Sequence, residues 1–128
     1  MILGVGVDIV KVERFVKIAE DKKSRFMQRV YTTNEANYLS NKNPESYAGI
    51  FAAKEAVVKA MGTGFKGFFP NQVEILYDKN GKPYVVLHEK AKKAMEKSHC
   101  LMCQFQLSIS HTESDAIAFV ILSIPQTS

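Results

Sequence analysis

The chain has 128 residues, 46% hydrophobic and 23% charged, with a formal net charge of +4. That length and apolar fraction suit one domain, residues 1–128, around one core, and no linker, repeat or low-complexity block divides it. The apolar start MILGVGVDIV is too short to span a bilayer, carries Asp8, and lacks a signal peptide's basic lead-in and cleavage site. A cytoplasmic protein without a membrane partner is the expectation.

Ile2–Val10 reads as a strand. Alternation puts Leu3, Val5, Val7 and Ile9 on one face and Gly4, Gly6 and Asp8 on the other. Two glycines on one face predict that another backbone packs closely there. Val12–Ala19 has helical spacing at Val12, Phe15, Val16 and Ala19, with Arg14 and Lys17 pointing away. Ser24–Val30 continues as a basic turn whose apolar residues, Phe26 and Met27, look exposed. Between Lys11 and Arg29 seven basic residues face three acidic ones, so this segment alone equals the excess of the whole chain. A local basic surface implies an acidic partner, nucleic acid or an acidic protein; a solvated helix face is the plain alternative.

Thr32–Glu35 fits a capping box opening a short helix through Leu39. Asn43-Pro44 offers a second start, with Asn43 as N-cap, for a helix running to about Met61 with Gly62 closing it. The last turns, FAAKEAVVKAMGTG (Phe51–Gly64), are the stretch around which the chain is organised. Phe51, Glu55, Lys59 and Gly62 fall on one helical stripe, flanked by Ala52, Ala53, Ala56 and Ala60 that admit close neighbours. If the alanine-rich helix packs on the glycine face of the first strand, Asp8 approaches Glu55. The Gly-Thr-Gly loop follows a helix C-terminus, where the macrodipole is negative, so it is no P-loop. A phosphate there needs a cation, and Lys59 and a divalent metal are the available means. Asp8 and Glu55 supply the hard oxygen ligands that suit Mg²⁺. An ordinary i,i+4 Glu-to-Lys surface pair is the competing reading.

Val73–Tyr77 and Tyr84–Leu87 flank Asn80-Gly81 as a hairpin. Glu89–Lys97 is a short amphipathic helix, with Ala91, Ala94 and Met95 opposite a lysine side. Cys100–Ser110 alternates Leu101, Cys103, Phe105, Leu107 and Ile109 against polar residues, and His111–Asp115 turns into a strand over Ala116–Ile124. Cys100 and Cys103 form a lone C-x-x-C. Without a second pair it makes no four-ligand zinc site, and it opens a strand rather than a redox helix. Buried or half-buried thiols are expected. The predicted order β-α-α-α-β-β-α-β-β is an α+β domain, mainly antiparallel sheet packed against a long central helix.

Four blocks of this sequence resemble the bacterial holo-acyl-carrier-protein synthases, the small 4′-phosphopantetheinyl transferases. They are Gly6-Val7-Asp8-Ile9 with Arg14-Phe15; Arg25-Phe26 through Arg29-Val30-Tyr31-Thr32; Phe51–Ala56 with Lys59-Ala60 and Gly62-Thr63-Gly64; and Asn80–Pro83 with Ser108–His111. They occur in order over nearly the full length. The resemblance implies a 4′-phosphopantetheinyl transferase-like fold. It implies transfer of the phosphopantetheine arm of coenzyme A to a serine of apo acyl carrier protein, with release of 3′,5′-ADP, in support of fatty acid biosynthesis. Asp8 and Glu55 match the family's Mg²⁺ ligands, and with Lys59 its catalytic residues. Lys59, Gly62, Thr63, Gly64, Lys82, Pro83, Ser110, His111 and Thr112 match coenzyme A-binding positions. Arg14, Arg25, Phe26 and Arg29 match the surface that meets the acidic carrier protein. The resemblance also implies a homotrimer with sites between subunits, and no nucleic acid partner. The serine proton goes to a metal-held water or to Glu55, a choice left open. Asn71-Gln72 and Thr112-Glu113-Ser114 depart from the commonest pattern, and neither removes a metal ligand.

Overall fold

Two glycines on the first strand decide how the molecule is assembled. In the computed structural model, which describes residues 1–98 and 102–125, the elements run β1 (Ile2–Lys11), α1 (Arg14–Glu20), α2 (Arg25–Val30), α3 (Thr33–Leu39), α4 (Pro44–Met61), a 3₁₀ turn (Pro70–Gln72), β2 (Val73–Tyr77), β3 (Pro83–Leu87), α5 (Glu89–Ser98), β4 (Gln104–His111) and β5 (Asp115–Ser123). A Cβ on Gly4 would stand 1.9 Å from the Ala60 carbonyl oxygen, and one on Gly6 equally 1.9 Å from that of Ala56. The strand therefore lies against the bare backbone of α4, as the glycine-bearing face predicts.

Strands β1, β5 and β4 form one antiparallel sheet in that order, and β2 and β3 form a separate two-stranded one. The α+β class and the long central helix stand; the strands divide into two antiparallel sheets. Helix α4 packs across β1, β5 and β4 and touches α1 and β2. Beyond its first turn every residue of α4 is buried except Glu55, Lys59. A helix apolar nearly all round belongs in a core, so the two polar exceptions mark where it meets solvent.

Several local expectations need correction. The first helix begins at Arg14, not Val12, and Val16 is 44% exposed, while Phe15 is fully buried. Ser24–Val30, expected as a basic turn, forms a helix of its own over Arg25–Val30, so four helices precede β2 where three were expected. The Asp21 N–H closes on Ile18 and Ser24 caps α2 by accepting from the Met27 N–H. Met27 is buried rather than exposed, and Phe26 packs edge-on against Phe15. Asn43 makes no side-chain cap, and Pro44 at the first position leaves no N–H there to satisfy. Thr32 and Glu35 do form both halves of the capping box. Gly62 ends α4 at φ 78°, a left-handed position that favours glycine. Phe105, Leu107 and Ile109 face inward along β4 as expected. Cys103 is half-buried beside the core, whereas Cys100 and Leu101 lie outside the described residues.

The rotation of α4 about its axis is held by a buried ion pair. Lys54 is fully enclosed and donates to Glu35 Oε1 (2.7 Å), the Val73 carbonyl (2.7 Å) and the Pro70 carbonyl (3.1 Å). Glu35 in turn accepts from the N–H groups of Thr32 and Ile75. Burial pushes the Glu35 carboxyl up and the Lys54 ammonium down, and each charge opposes the other's shift. Every donor of Lys54 is satisfied, which a buried ammonium requires.

The close β1–α4 approach gives a direct expectation. Gly6→Ala forces strand and helix apart and lowers stability by about 3 kcal/mol, the upper range for overpacking. Urea unfolding of both proteins checks it; a variant within about 0.5 kcal/mol of the parent contradicts the packing argument.

Candidate active site

Asp8 projects from the glycine face of β1 toward α4, where Lys59 waits one helical turn beyond Glu55. The Lys59 ammonium donates to Asp8 Oδ1 at 3.0 Å and to the Val7 carbonyl at 2.9 Å. It does not pair locally with Glu55; it crosses to β1, so the ordinary i,i+4 surface pair is not the arrangement found. Asp8 Oδ2 is buried and has no hydrogen-bond partner among the described residues. An unpaired carboxylate oxygen in that position is costly by itself and favours a cation beside it.

Glu55 is half-buried. Burial pushes its carboxyl above the ordinary value, the Asp8 charge pushes it further, and Lys59 and Arg14 pull it back. Asp8 and Glu55 thus share one small region and repel each other across it. Two crowded carboxylates with one orphaned oxygen fit a hard divalent cation such as Mg²⁺, which takes one or two carboxylates and fills its remaining positions with waters and substrate phosphates. No group of three or more His, Cys, Asp or Glu residues able to hold a metal occurs among the described residues.

Arg14 enters this site too, which the sequence reading did not anticipate. Its guanidinium lies 5.1 Å from the Phe51 ring centre and 5.6 Å from that of Phe15, and its charge reaches Glu55. Its place one element after Asp8 was the available signal. On α2, Arg25 is exposed, Phe26 is half-buried among Phe15, Phe51 and Tyr31, and Arg29 lies 4.9 Å from the Phe69 ring.

Gly62, Thr63 and Gly64 follow α4 directly. Their N–H groups all turn back onto the helix, Gly62 to Lys59 and both Thr63 and Gly64 to Val58. The loop therefore offers open space, with nothing within 4 Å of a Cβ at Gly62 or Gly64, rather than a nest of amide donors. Lys82 is exposed in the β2–β3 turn, where its N–H donates to Asp78 Oδ1. Pro83 and His111 share a cleft of about 290 Å³ with Tyr38, Glu45, Gly49 and Ser108. Ser110 is exposed on the outer face of β4, and Thr112 Oγ1 accepts from Ser114 and Asp115 to close the turn. The named residues thus fall into two sets. Asp8, Glu55, Lys59 and the glycine loop form one. Pro83 and His111 line the other cleft, near the opposite end of α4, and Lys82, Ser110 and Thr112 are their neighbours in the chain. Gly49 and Gly62 are about 20 Å apart along that helix.

Comparison with known proteins gives this arrangement a family. The model of the 4′-phosphopantetheinyl transferase superfamily matches residues 4–119. The chain belongs to the 4′-phosphopantetheinyl transferase superfamily. It is 47% identical over 126 residues to a holo-[acyl-carrier-protein] synthase of Clostridium kluyveri, covering 97% of this chain and 92% of that protein. The corresponding Alkaliphilus oremlandii protein is 44% identical, covering 94% and 98%. A crystal structure of a Bacillus anthracis holo-(acyl-carrier-protein) synthase in complex with CoA (3′,5′-ADP) superposes with a TM-score of 0.77 at 34% identity, over 98% of this chain and 99% of that one. The holo-[acyl-carrier-protein] synthase of Neisseria meningitidis gives 0.82 at 32%, over 96% and 99%. The transferase fold expected from the sequence is therefore the fold observed.

The raised Glu55 carboxyl has a thermodynamic consequence for the metal-free transferase. The folded chain holds that proton to higher pH than the unfolded chain, whose ordinary value is 4.5. Stability at this position is complete below about pH 4.5 and falls as pH rises through the folded value. Metal-free Glu55→Gln is accordingly more stable than the parent at neutral pH, and the gap closes below about pH 4.5. Thermal unfolding in chelator across that range measures it; a pH-independent gap contradicts the burial argument.

Proposed function

We propose that this protein transfers the 4′-phosphopantetheine arm of coenzyme A to a serine of apo acyl carrier protein, acting as one domain over residues 1–128. The observation that carries the reading is the convergence of Asp8, Glu55 and Lys59 on one point, with Asp8 Oδ2 left unpaired. It sits in a chain similar along nearly its whole length to proteins named holo-[acyl-carrier-protein] synthase. The serine oxygen bonds to the phosphorus bearing pantetheine, the pyrophosphate bridge breaks, and 3′,5′-ADP leaves with the bridging oxygen. Asp8 and Glu55 would hold Mg²⁺, which supplies charge neutralisation on the transferring phosphoryl group and the departing nucleotide. Lys59, half exposed and already at the acids, reaches the phosphates. Glu55 or a water takes the serine proton. Arg14, Arg25, Phe26 and Arg29 receive the carrier, with Arg14 steadied over two rings. The reaction belongs to fatty acid biosynthesis in the cytoplasm, with no nucleic acid or membrane partner.

A homotrimer with sites between subunits belongs to the same proposal, and two features support it. The outer face of the β1–β5–β4 sheet leaves Val5, Val7, Ile9, Ile117 and Phe119 between 41% and 64% exposed, in register across two strands. An apolar patch of that kind needs a cover. Pro83 and His111 also line a cleft that Lys59, Gly62, Thr63 and Gly64 do not reach. A neighbour's Pro83–His111 side would complete the Asp8–Glu55 side.

The decisive experiment incubates the protein with apo carrier protein, coenzyme A and Mg²⁺ and weighs the carrier by mass spectrometry. A phosphopantetheine adduct is expected, and its absence overturns the function. Glu55→Gln is expected to lose transfer and also the thermal stabilisation that Mg²⁺ gives the parent. Mg²⁺ stabilising both proteins equally would remove Glu55 as a ligand. Phe119→Lys, at an exposed central-strand position, is expected to stay folded, run as a monomer in light scattering and transfer poorly. A trimeric Phe119→Lys protein would move the interface elsewhere.

A further inference from the structure

Helix α5 turns three lysines to one side. Lys90, Lys93 and Lys97 stand at i, i+3 and i+7, a single helical face spanning about 10 Å. Across a cleft of about 490 Å³ they meet Lys66, and the floor on the near side is Gly62 and Thr63. Among the described residues no carboxylate lines the cleft. Glu89 lies 4.0 Å from Lys93 on the exposed rim, a pair worth little against solvent, and Glu96 stands three residues beyond Lys93 on the same helix. The opposite face of α5 buries Ala91 and Met95, so the fold requires an apolar stripe there but gives the lysines no structural duty.

The position of the cleft matters as much as its charge. From the middle of α4 onward, Phe51 with Arg14 above it comes first, Glu55 and Lys59 next, and Gly62 with the lysine cleft last. From Phe51 to Gly62 is about 16 Å. The two acids are thus bracketed by positive charge on both sides. We propose that the Lys66–α5 cleft is a second docking surface for an acidic face of the protein acceptor, holding the end of the acceptor that Arg14 and α2 do not reach. The inference rests on the transfer reading above and names a further contact for its partner.

The chemistry favours an acidic protein face over a small phosphorylated ligand. A phosphate is held by donors converging on one point, commonly backbone N–H groups or a forked guanidinium. Here the N–H groups of Gly62, Thr63 and Gly64 are already spent on α4 carbonyls, and no arginine is among the described residues lining the cleft. The ammonium groups are spread along a helix face, which matches a row of carboxylates on another surface. Lysine point charges arranged in this way steer encounter and set salt dependence more than they fix geometry.

The test compares the parent with a variant carrying Lys90→Gln, Lys93→Gln and Lys97→Gln, all exposed, using apo acyl carrier protein as the probe. A control carries Lys42→Gln, Lys79→Gln and Lys92→Gln, which removes the same charge elsewhere. Titration calorimetry reads carrier affinity independently of turnover, and steady-state kinetics read both substrates. The expected result is a roughly tenfold weaker carrier affinity and a shallower salt dependence, with kcat and the KM for coenzyme A unchanged and the control like the parent. Unaltered carrier affinity overturns the proposal. A raised KM for coenzyme A with normal carrier binding also overturns it, assigning the cleft to the nucleotide. An equal loss in the control reduces it to net charge. A parent that binds the carrier but transfers nothing sinks the transfer reading, while the affinity comparison still judges the cleft.

Discussion

The contact between the glycine face of β1 and the backbone of α4 is the constraint on which the rest of the structure depends. At Gly4 and Gly6 there is no space for a Cβ, because carbonyl oxygens of Ala60 and Ala56 occupy it. Strand and helix consequently lie closer than side chains would ordinarily permit. That closeness lets Asp8, two residues on from Gly6 and on the same face, meet a lysine and an acid of α4. The site is a product of backbone proximity rather than of long side chains reaching across a gap.

Closeness alone does not aim the helix. Glu55 faces the site because its neighbour Lys54 is fixed on the buried side by Glu35 and two carbonyls from the segment leading into β2. Adjacent residues on a helix point about 100° apart, so locking one directs the other. Glu35 reaches Lys54 because it also serves the capping box of α3, which anchors that short helix to β2 through the Ile75 N–H. The charged interior therefore acts as a register device, tying the Glu55–Lys59 face of α4 to the sheet behind it. Its polar groups are satisfied, which is the condition for burying them at all.

The surface divides its labour by chemistry. The outer sheet face is apolar and unpaired within one chain, the surroundings of Arg14 mix cation and aromatic, and the α5 cleft is cationic alone. Each suits a different neighbour: another copy of the same sheet, a partner with both apolar and acidic residues, and an acidic row. Asp8 and Glu55 sit where the second and third of these meet.

The sequence by itself determined the α+β class, the glycine-to-helix packing, the capping box at Thr32, the end of α4 at Gly62 and the membership of Asp8, Glu55 and Lys59 in one constellation. Those features are local, or follow from a period of two against a period of 3.6, so they survive without knowledge of distant contacts. Only the tertiary structure decided that Lys59 bonds Asp8 instead of Glu55, that the charge of Arg14 reaches Glu55, and that Met27 turns inward while Val16 turns out. It alone divided the strands into two sheets, left Val5, Val7 and Ile9 facing out, and brought Lys66 opposite α5. The reason is physical: alternation says which residues share a face, but which face is covered depends on what else the chain packs there.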